Sequence, residues 1–114
     1  MTQPKLRDFT PRIYQESIFD TASRENTLVV LPTGLGKTAI AMMLCLHRLE
    51  THKNSKIIFL APTKPLAQQH IQTFSNHLPE NIKLDLFTGE VSPKKREELW
   101  ESSQIIFSTK TLNL

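Results

Sequence analysis

The sequence predicts an α/β fold, an open parallel sheet whose strands are joined by helical crossovers. Short runs of branched apolar residues alternate with longer stretches of helical rhythm, in the order α-βα-βα-βα-β, and Gly, Pro and Ser residues punctuate the junctions. Internal repeats and low-complexity tracts, which would point to a solenoid or a disordered segment, do not occur.

Residues 1–9 read as a polar N-terminal arm. Thr10-Pro11 then suits a helix start, because threonine caps free N–H groups and proline fits the first helical position. Tyr14, Ile18 and Ala22 fall on one face of that helix. Thr27 to Leu31 is short and apolar, as expected of a strand buried on both faces. From about Lys37 to Leu49 the chain is apolar on almost every side, the pattern of a buried helix, and Glu50 to Ser55 is a polar loop.

Lys56 to Ala61 is the next strand. A helix opens near Pro65, and its Ala67, Ile71, Phe74 and Leu78 step by 4, 3 and 4, which buries one face. Ile82 to Leu86 alternates, so this strand is expected near a sheet edge with one side wet. Ser92-Pro93 caps a short helix running to about Glu101, and Gln104 to Ser108 is the last strand.

With 114 residues the chain holds one small domain or a piece of a larger one. Fourteen Lys and Arg against eleven Asp and Glu give a net charge of +3, compatible with a nucleic-acid face without demonstrating one. Cys45 is the single cysteine, which excludes an internal disulfide and fits a reducing cytoplasm. No apolar run approaches the roughly 18–20 residues that span a bilayer, and no signal core follows Met1, so neither a membrane nor export is expected.

Leu31-Pro32-Thr33-Gly34-Leu35-Gly36-Lys37-Thr38 lies between a strand and a helix, where a phosphate-binding loop belongs. Glycines at 34 and 36 let the backbone approach a phosphate with its N–H groups turned inward, and the helix start adds its positive dipole end. Lys37 would reach the β and γ phosphates of ATP, and the Thr38 hydroxyl would be a ligand of Mg²⁺, making these two the catalytic candidates. The plain alternative is a glycine-containing strand-to-helix turn. The first position of the G-x-x-x-x-G-K-T pattern is Leu31, not glycine.

Pro11-Arg12-Ile13-Tyr14-Gln15, the phosphate loop, and Ala61-Pro62-Thr63-Lys64-Pro65-Leu66-Ala67-Gln68-Gln69-His70 occur in the order seen in superfamily 2 helicases. From about Phe9 to Leu114 the chain resembles the first RecA-like motor domain of that superfamily, its Hef and Fanconi anaemia M-type branch above all, where Leu at position 31 is usual. The resemblance implies a P-loop NTPase fold. It implies that Pro32 to Thr38 hold the triphosphate and that Arg12 and Gln15 lie at the adenine, an amide offering both donor and acceptor. It implies that Thr63 and Lys64 grip one DNA strand, with Thr88, Gly89 and Thr109 in two further backbone-gripping motifs, although Lys110 stands where proline is more frequent. Read locally, Thr63-Lys64-Pro65 is a helix cap, which is compatible with that contact.

The resemblance also implies an ATP-dependent DNA helicase or translocase acting on branched DNA. Its Mg²⁺-holding carboxylates belong to an Asp-Glu-Ala-His box, and its arginine to a second motor domain; neither is in these 114 residues. The expectation is therefore a partial N-terminal helicase domain, inactive alone, in which Thr27 to Leu31 lacks the neighbouring strands it has in the resembled fold. Two other readings are a non-catalytic nucleotide- or DNA-binding module and a small-molecule kinase, though a kinase should lack the Ala61 to His70 motif.

Lys94, Lys95 and Arg96 crowd a predicted helix start, where positive charge is unfavourable; they form a solvated face beside Glu97 and Glu98 or meet a nucleic-acid phosphate. His47, His52, His70 and His77 lack zinc-site spacing and are expected on the surface or in packing, Trp100 is expected as a packing anchor, and Cys45 as inert core.

Overall fold

A computed structural model describes residues 5–29, 36–87 and 91–109. The elements are α1 (Ile13–Ala22), α2 (Lys37–Thr51), β1 (Ile57–Ala61), α3 (Lys64–His77), β2 (Leu84–Phe87), α4 (Pro93–Ser102) and β3 (Ile105–Thr109). The strands form a parallel sheet in the order β1-β3-β2, with Ile57 opposite Ile105 and Leu84 opposite the same residue on the other side. Ile82 to Leu86 was expected near an edge, and β2 is an edge strand.

α3 carries the chain from β1 across β3 to β2, and α4 brings it back to β3. Right-handed crossovers running in opposite directions place these helices on opposite faces of the sheet. The register makes the two faces explicit. Phe59 and Phe107 share the α3 face, where they and Phe74 form a cluster with ring centroids 5.0–5.3 Å apart. Ala67, Phe74 and Leu78 are buried as their spacing predicted, and Met42, Met43 and Leu46 of α2 join the same core. On the α4 face, Asp85 meets the Ser103 hydroxyl, so the side of β2 expected to be wet is half-buried instead.

Helix ends follow local chemistry where a cap exists. The Thr63 hydroxyl accepts from Leu66 N–H at the start of α3, and the Ser92 hydroxyl accepts from Lys95 N–H at the start of α4. α1 departs from expectation: it starts at Ile13 with Arg12 as N-cap, not at Thr10-Pro11, because the Gln15 side chain accepts from the Arg12 N–H. Its buried residues are Gln15 and Phe19, one position along from the expected Tyr14 and Ile18.

Three further expectations are corrected. Thr27 to Val29 contains no strand, and Leu28 is 89% exposed; a buried strand needs neighbours, and among the described residues none is paired with it. Val30 and Leu31 lie outside the described residues. α2 runs two residues further than expected, to Thr51. The N-terminal arm is not purely polar surface: Leu6 is buried, Arg7 N–H donates to the His77 carbonyl at 2.7 Å, and the His77 ring Nδ1–H donates to the Arg7 carbonyl at 2.8 Å. Among the described residues no helix is long and apolar enough to cross a membrane.

The end of α4 is closed from outside. α4 has no basic residue in its last turn, and Lys56, just before β1, supplies one. Its ammonium donates to the Trp100 carbonyl and, at 2.9 Å, to the Ser103 carbonyl, and lies 5.4 Å from the Trp100 ring centroid. Cys45 sits in the α2 core, where burial pushes its thiol up from an ordinary 9.0 to about 12.

Replacing Lys56 by Met keeps the apolar stem and removes the charge. It should lower stability by about 1–2 kcal/mol, read as a fall in urea midpoint by Trp100 fluorescence. Cys45 should resist thiol reagents at neutral pH until the chain is unfolded. An unfolded thiol releases its proton near 9.0 and the folded one near 12, so the unfolded chain binds fewer protons in that window. The stability of wild type relative to Cys45→Ala should therefore fall as pH rises across it, compared by urea midpoints at successive pH values.

Candidate nucleotide and nucleic-acid site

Gly36 is the N-cap of α2 and adopts φ 79°, ψ 39°, a left-handed conformation that glycine takes without strain. Its carbonyl accepts from Ala39 N–H at 3.2 Å, the first bond of the helix. Among the described residues no side chain caps α2, and its first turn carries no acidic residue, whereas α3 and α4 have side-chain caps. The donors there, the leading N–H groups with the exposed Lys37 and the half-buried Thr38 hydroxyl, suit an anion. Pro32, Thr33, Gly34 and Leu35 lie outside the described residues.

α1 delivers Gln15 to this point. The side chain is 3% exposed; its Oε1 accepts from Arg12 N–H at 2.8 Å and its Nε2 donates to the Gly36 carbonyl at 3.2 Å. A Cβ at position 36 would collide with Gln15 Nε2, so the glycine serves this approach as well as its own backbone angles. The two residues are 21 positions apart, and nothing in the local sequence announces the contact. Arg12 is exposed at the helix start.

The remaining candidates gather on another edge. In a parallel sheet all strands end on one side, where open α/β sheets receive ligands. Thr63 is exposed two residues beyond β1, Thr109 is half-buried at the end of β3 opposite Ala61, and Lys64 is half-buried at the start of α3. Thr88 and Gly89 directly follow β2 and lie outside the described residues. α4 runs back against the strands, so its first turn, with exposed Lys94 and Lys95 and half-buried Arg96, starts from this same side. Lys95 lies 3.8 Å from Glu98, both more than half exposed, an ion pair worth little in water.

Residues set aside in the sequence take packing roles. His47 meets the Phe19 edge at 5.6 Å, His70 lies 4.9 Å from Phe59, and His77 lies 5.7 Å from Phe9. Trp100 is half-buried under Lys56.

Residues 12–112 match the family model of the DEAD/DEAH box helicase. The DEAD-box ATP-dependent DNA helicase Fancm of Drosophila melanogaster is 41% identical over 102 residues, which cover 86% of this chain and 7% of that protein. The ATP-dependent DNA helicase MPH1 of Pyricularia oryzae is 43% identical over 100 residues, covering 86% of this chain and 9% of its own. The Pyrococcus furiosus Hef helicase domain superposes with a TM-score of 0.82 at 46% identity, over 92% of this chain and 23% of that one. The chain thus spans a small share of the length of each. On the family match and these relatives, the chain belongs to the DEAD/DEAH box helicases, in the superfamily 2 branch that contains Hef and the Fancm and MPH1 DNA helicases.

Proposed function

We propose that this chain is the ATP- and DNA-binding N-terminal part of a DNA helicase or translocase whose substrate is branched DNA. The observation that carries the reading is the start of α2: a helix N-terminus with no side-chain cap among the described residues, presenting Lys37 and Thr38 and braced by Gln15, within a family whose relatives are named ATP-dependent.

The donor set fits a triphosphate. Lys37 supplies a mobile positive charge for the β and γ phosphates, the first N–H groups of α2 supply directed donors, and the Thr38 hydroxyl is a hard oxygen ligand of the kind Mg²⁺ takes. Bound Mg²⁺ would supply charge neutralisation at the phosphates. The Pro32 to Leu35 backbone would complete the cradle, and Arg12 and Gln15 stand on the side assigned to the base. Turnover would need the acidic box and second motor domain that the resemblance assigns to the rest of a longer protein.

For DNA, the C-terminal edge of the sheet offers hydroxyls and cations suited to phosphate oxygens: Thr63 and Lys64 after β1 and Thr109 at the end of the central β3, with Thr88-Gly89 following β2 in the chain. Such contacts fix the strand's path without reading sequence, as a motor that steps along any DNA requires. The reading of Lys94 and Lys95 as DNA contacts rests on their exposure at the start of α4.

Lys37→Ala should lower ATP affinity by about 10- to 100-fold, the loss of charge-assisted bonds, without changing the melting temperature. Titration calorimetry alongside thermal unfolding checks this, and undiminished affinity sinks the phosphate-loop assignment. Replacing Lys94 and Lys95 by Gln should flatten the plot of log affinity for forked DNA against log salt, by about 0.7–0.9 for each phosphate contact removed. An unchanged slope takes both residues out of the interface.

A further inference from the structure

We propose that α4 is a hinged flap over one face of the sheet, with Ser103 as its hinge and the Lys56 ammonium as its latch, and that it opens while the three strands stay paired.

The charge order of α4 works against its own dipole. Lys94, Lys95 and Arg96 lie in the first turn, where the helix is already positive, and Glu97, Glu98 and Glu101 follow toward the end that is already negative. A helix of 10 residues is too short to be stable alone in water, so its stability has to come from the rest of the molecule. Packing supplies little of it. No residue of α4 is buried, and Arg96, Leu99 and Trp100 are half-buried at most. Among the described residues, none from α4 belongs to the core cluster or to the partly buried apolar groups packed on it, whereas α2 and α3 both contribute to that core. An open cleft of about 730 Å³ is lined by Phe87 at the end of β2 and by Pro93, Glu97 and Trp100 of the helix.

The C-terminal end of α4 is built differently. Ser103 is 1% exposed, and its hydroxyl donates to Asp85 Oδ2 at 2.5 Å. Immediately after it, the N–H groups of Gln104 and Ile105 donate to the Lys83 carbonyl at 3.0 and 3.1 Å, and the Lys83 N–H donates to Gln104 Oε1 at 2.9 Å. The chain beyond Ser103 is thus tied to β2, and motion of the helix stops there. Across this junction Lys56 donates to the Trp100 carbonyl and, at 2.9 Å, to the Ser103 carbonyl, acceptors that a helix end leaves without partners.

A helix opposed by its own charges, little packed and tied at one end opens from the other, and few buried apolar contacts are the mark of a segment that opens on its own. Lys94 and Lys95 sit at the end that moves. Phe87, Ile106 and Ser108, all buried, sit on the face that opening uncovers.

Native-state hydrogen exchange of the 114-residue chain, followed amide by amide by NMR, tests this. In the unmodified chain the α4 amides should exchange faster than those of β3, and low urea should leave their rates unchanged while it speeds the β3 amides, because local opening exposes little surface. Lys56→Met should speed exchange in α4 by about tenfold, from the loss of charge-assisted bonds. Phe74→Leu, which weakens the core away from α4, should speed the β3 amides and leave the α4 rates as they were. Acceleration of both sets by the same factor in Phe74→Leu means that α4 opens only when the whole chain unfolds, and overturns the flap. Unchanged α4 rates in Lys56→Met overturn the latch. Equal exchange of α4 and β3 in the unmodified chain overturns the proposal even if neither substituted chain folds.

Discussion

The Phe59, Phe74 and Phe107 cluster is the contact on which the rest of the arrangement depends. One ring comes from β1, one from α3 and one from β3, and each lies within 5.3 Å of the other two. It locks the helix after β1 over the central strand, and that fixes the β1-to-α3 turn where Thr63 and Lys64 sit. Because β3 is central, with Ile105, Ile106, Phe107 and Ser108 all buried, the ends of the flanking strands are placed relative to it. The candidate DNA edge is therefore set by core packing rather than by the loops that carry it.

The two faces of the sheet are not equally finished. On the α4 face, Ile106, Ser108 and Phe87 are buried, whereas their register neighbours on β1, Ile58 and Leu60, are 40% and 62% exposed. Among the described residues β1 is also a sheet edge, whose five residues, Ile57 to Ala61, carry no charge, and its flanking Lys56 is turned to the carbonyls of α4. Edges of free-standing sheets are commonly guarded by charge, and this one is not. Leu28, exposed where a strand was expected, belongs to the same pattern: apolar sequence without a neighbour to bury it. The aligned relatives are far longer, with this chain covering 7% and 9% of two of them.

What the sequence revealed divides along the range of the interaction. The 4, 3 and 4 spacing of Ala67, Ile71, Phe74 and Leu78 is local, and α3 follows it; Thr63 and Ser92 each sit beside the N–H groups they cap, and both were legible. The start of α1 misled because Thr10-Pro11 has the composition of a cap, whereas Gln15 closes the helix from within. The described part of the expected Thr27 to Leu31 strand, Thr27 to Val29, misled because strand formation depends on partners, not on the segment. Lys56 reaching α4, Arg7 reaching His77 and Gln15 reaching Gly36 join residues 21 to 70 positions apart, and no local pattern marks them. Of the candidate site, the residue types at 36–38 and 63–64 could be read directly, but the brace on Gly36 could not.

Thr63 shows how a structural cap leaves the same hydroxyl able to make the proposed ligand contact. Its hydroxyl oxygen accepts the Leu66 N–H at 3.3 Å, which uses a lone pair and leaves the hydroxyl proton to be donated. A phosphate oxygen is an acceptor, so it competes for nothing the helix needs. The capping bond also holds the hydroxyl at the exposed end of α3, where the first N–H groups and the positive dipole end point outward. A serine or threonine at this position would satisfy helix and phosphate together; an aspartate would cap the helix as well but would bring negative charge to the anion. The choice of a neutral hydroxyl over the equally good carboxylate cap is the feature that local helix stability alone does not require.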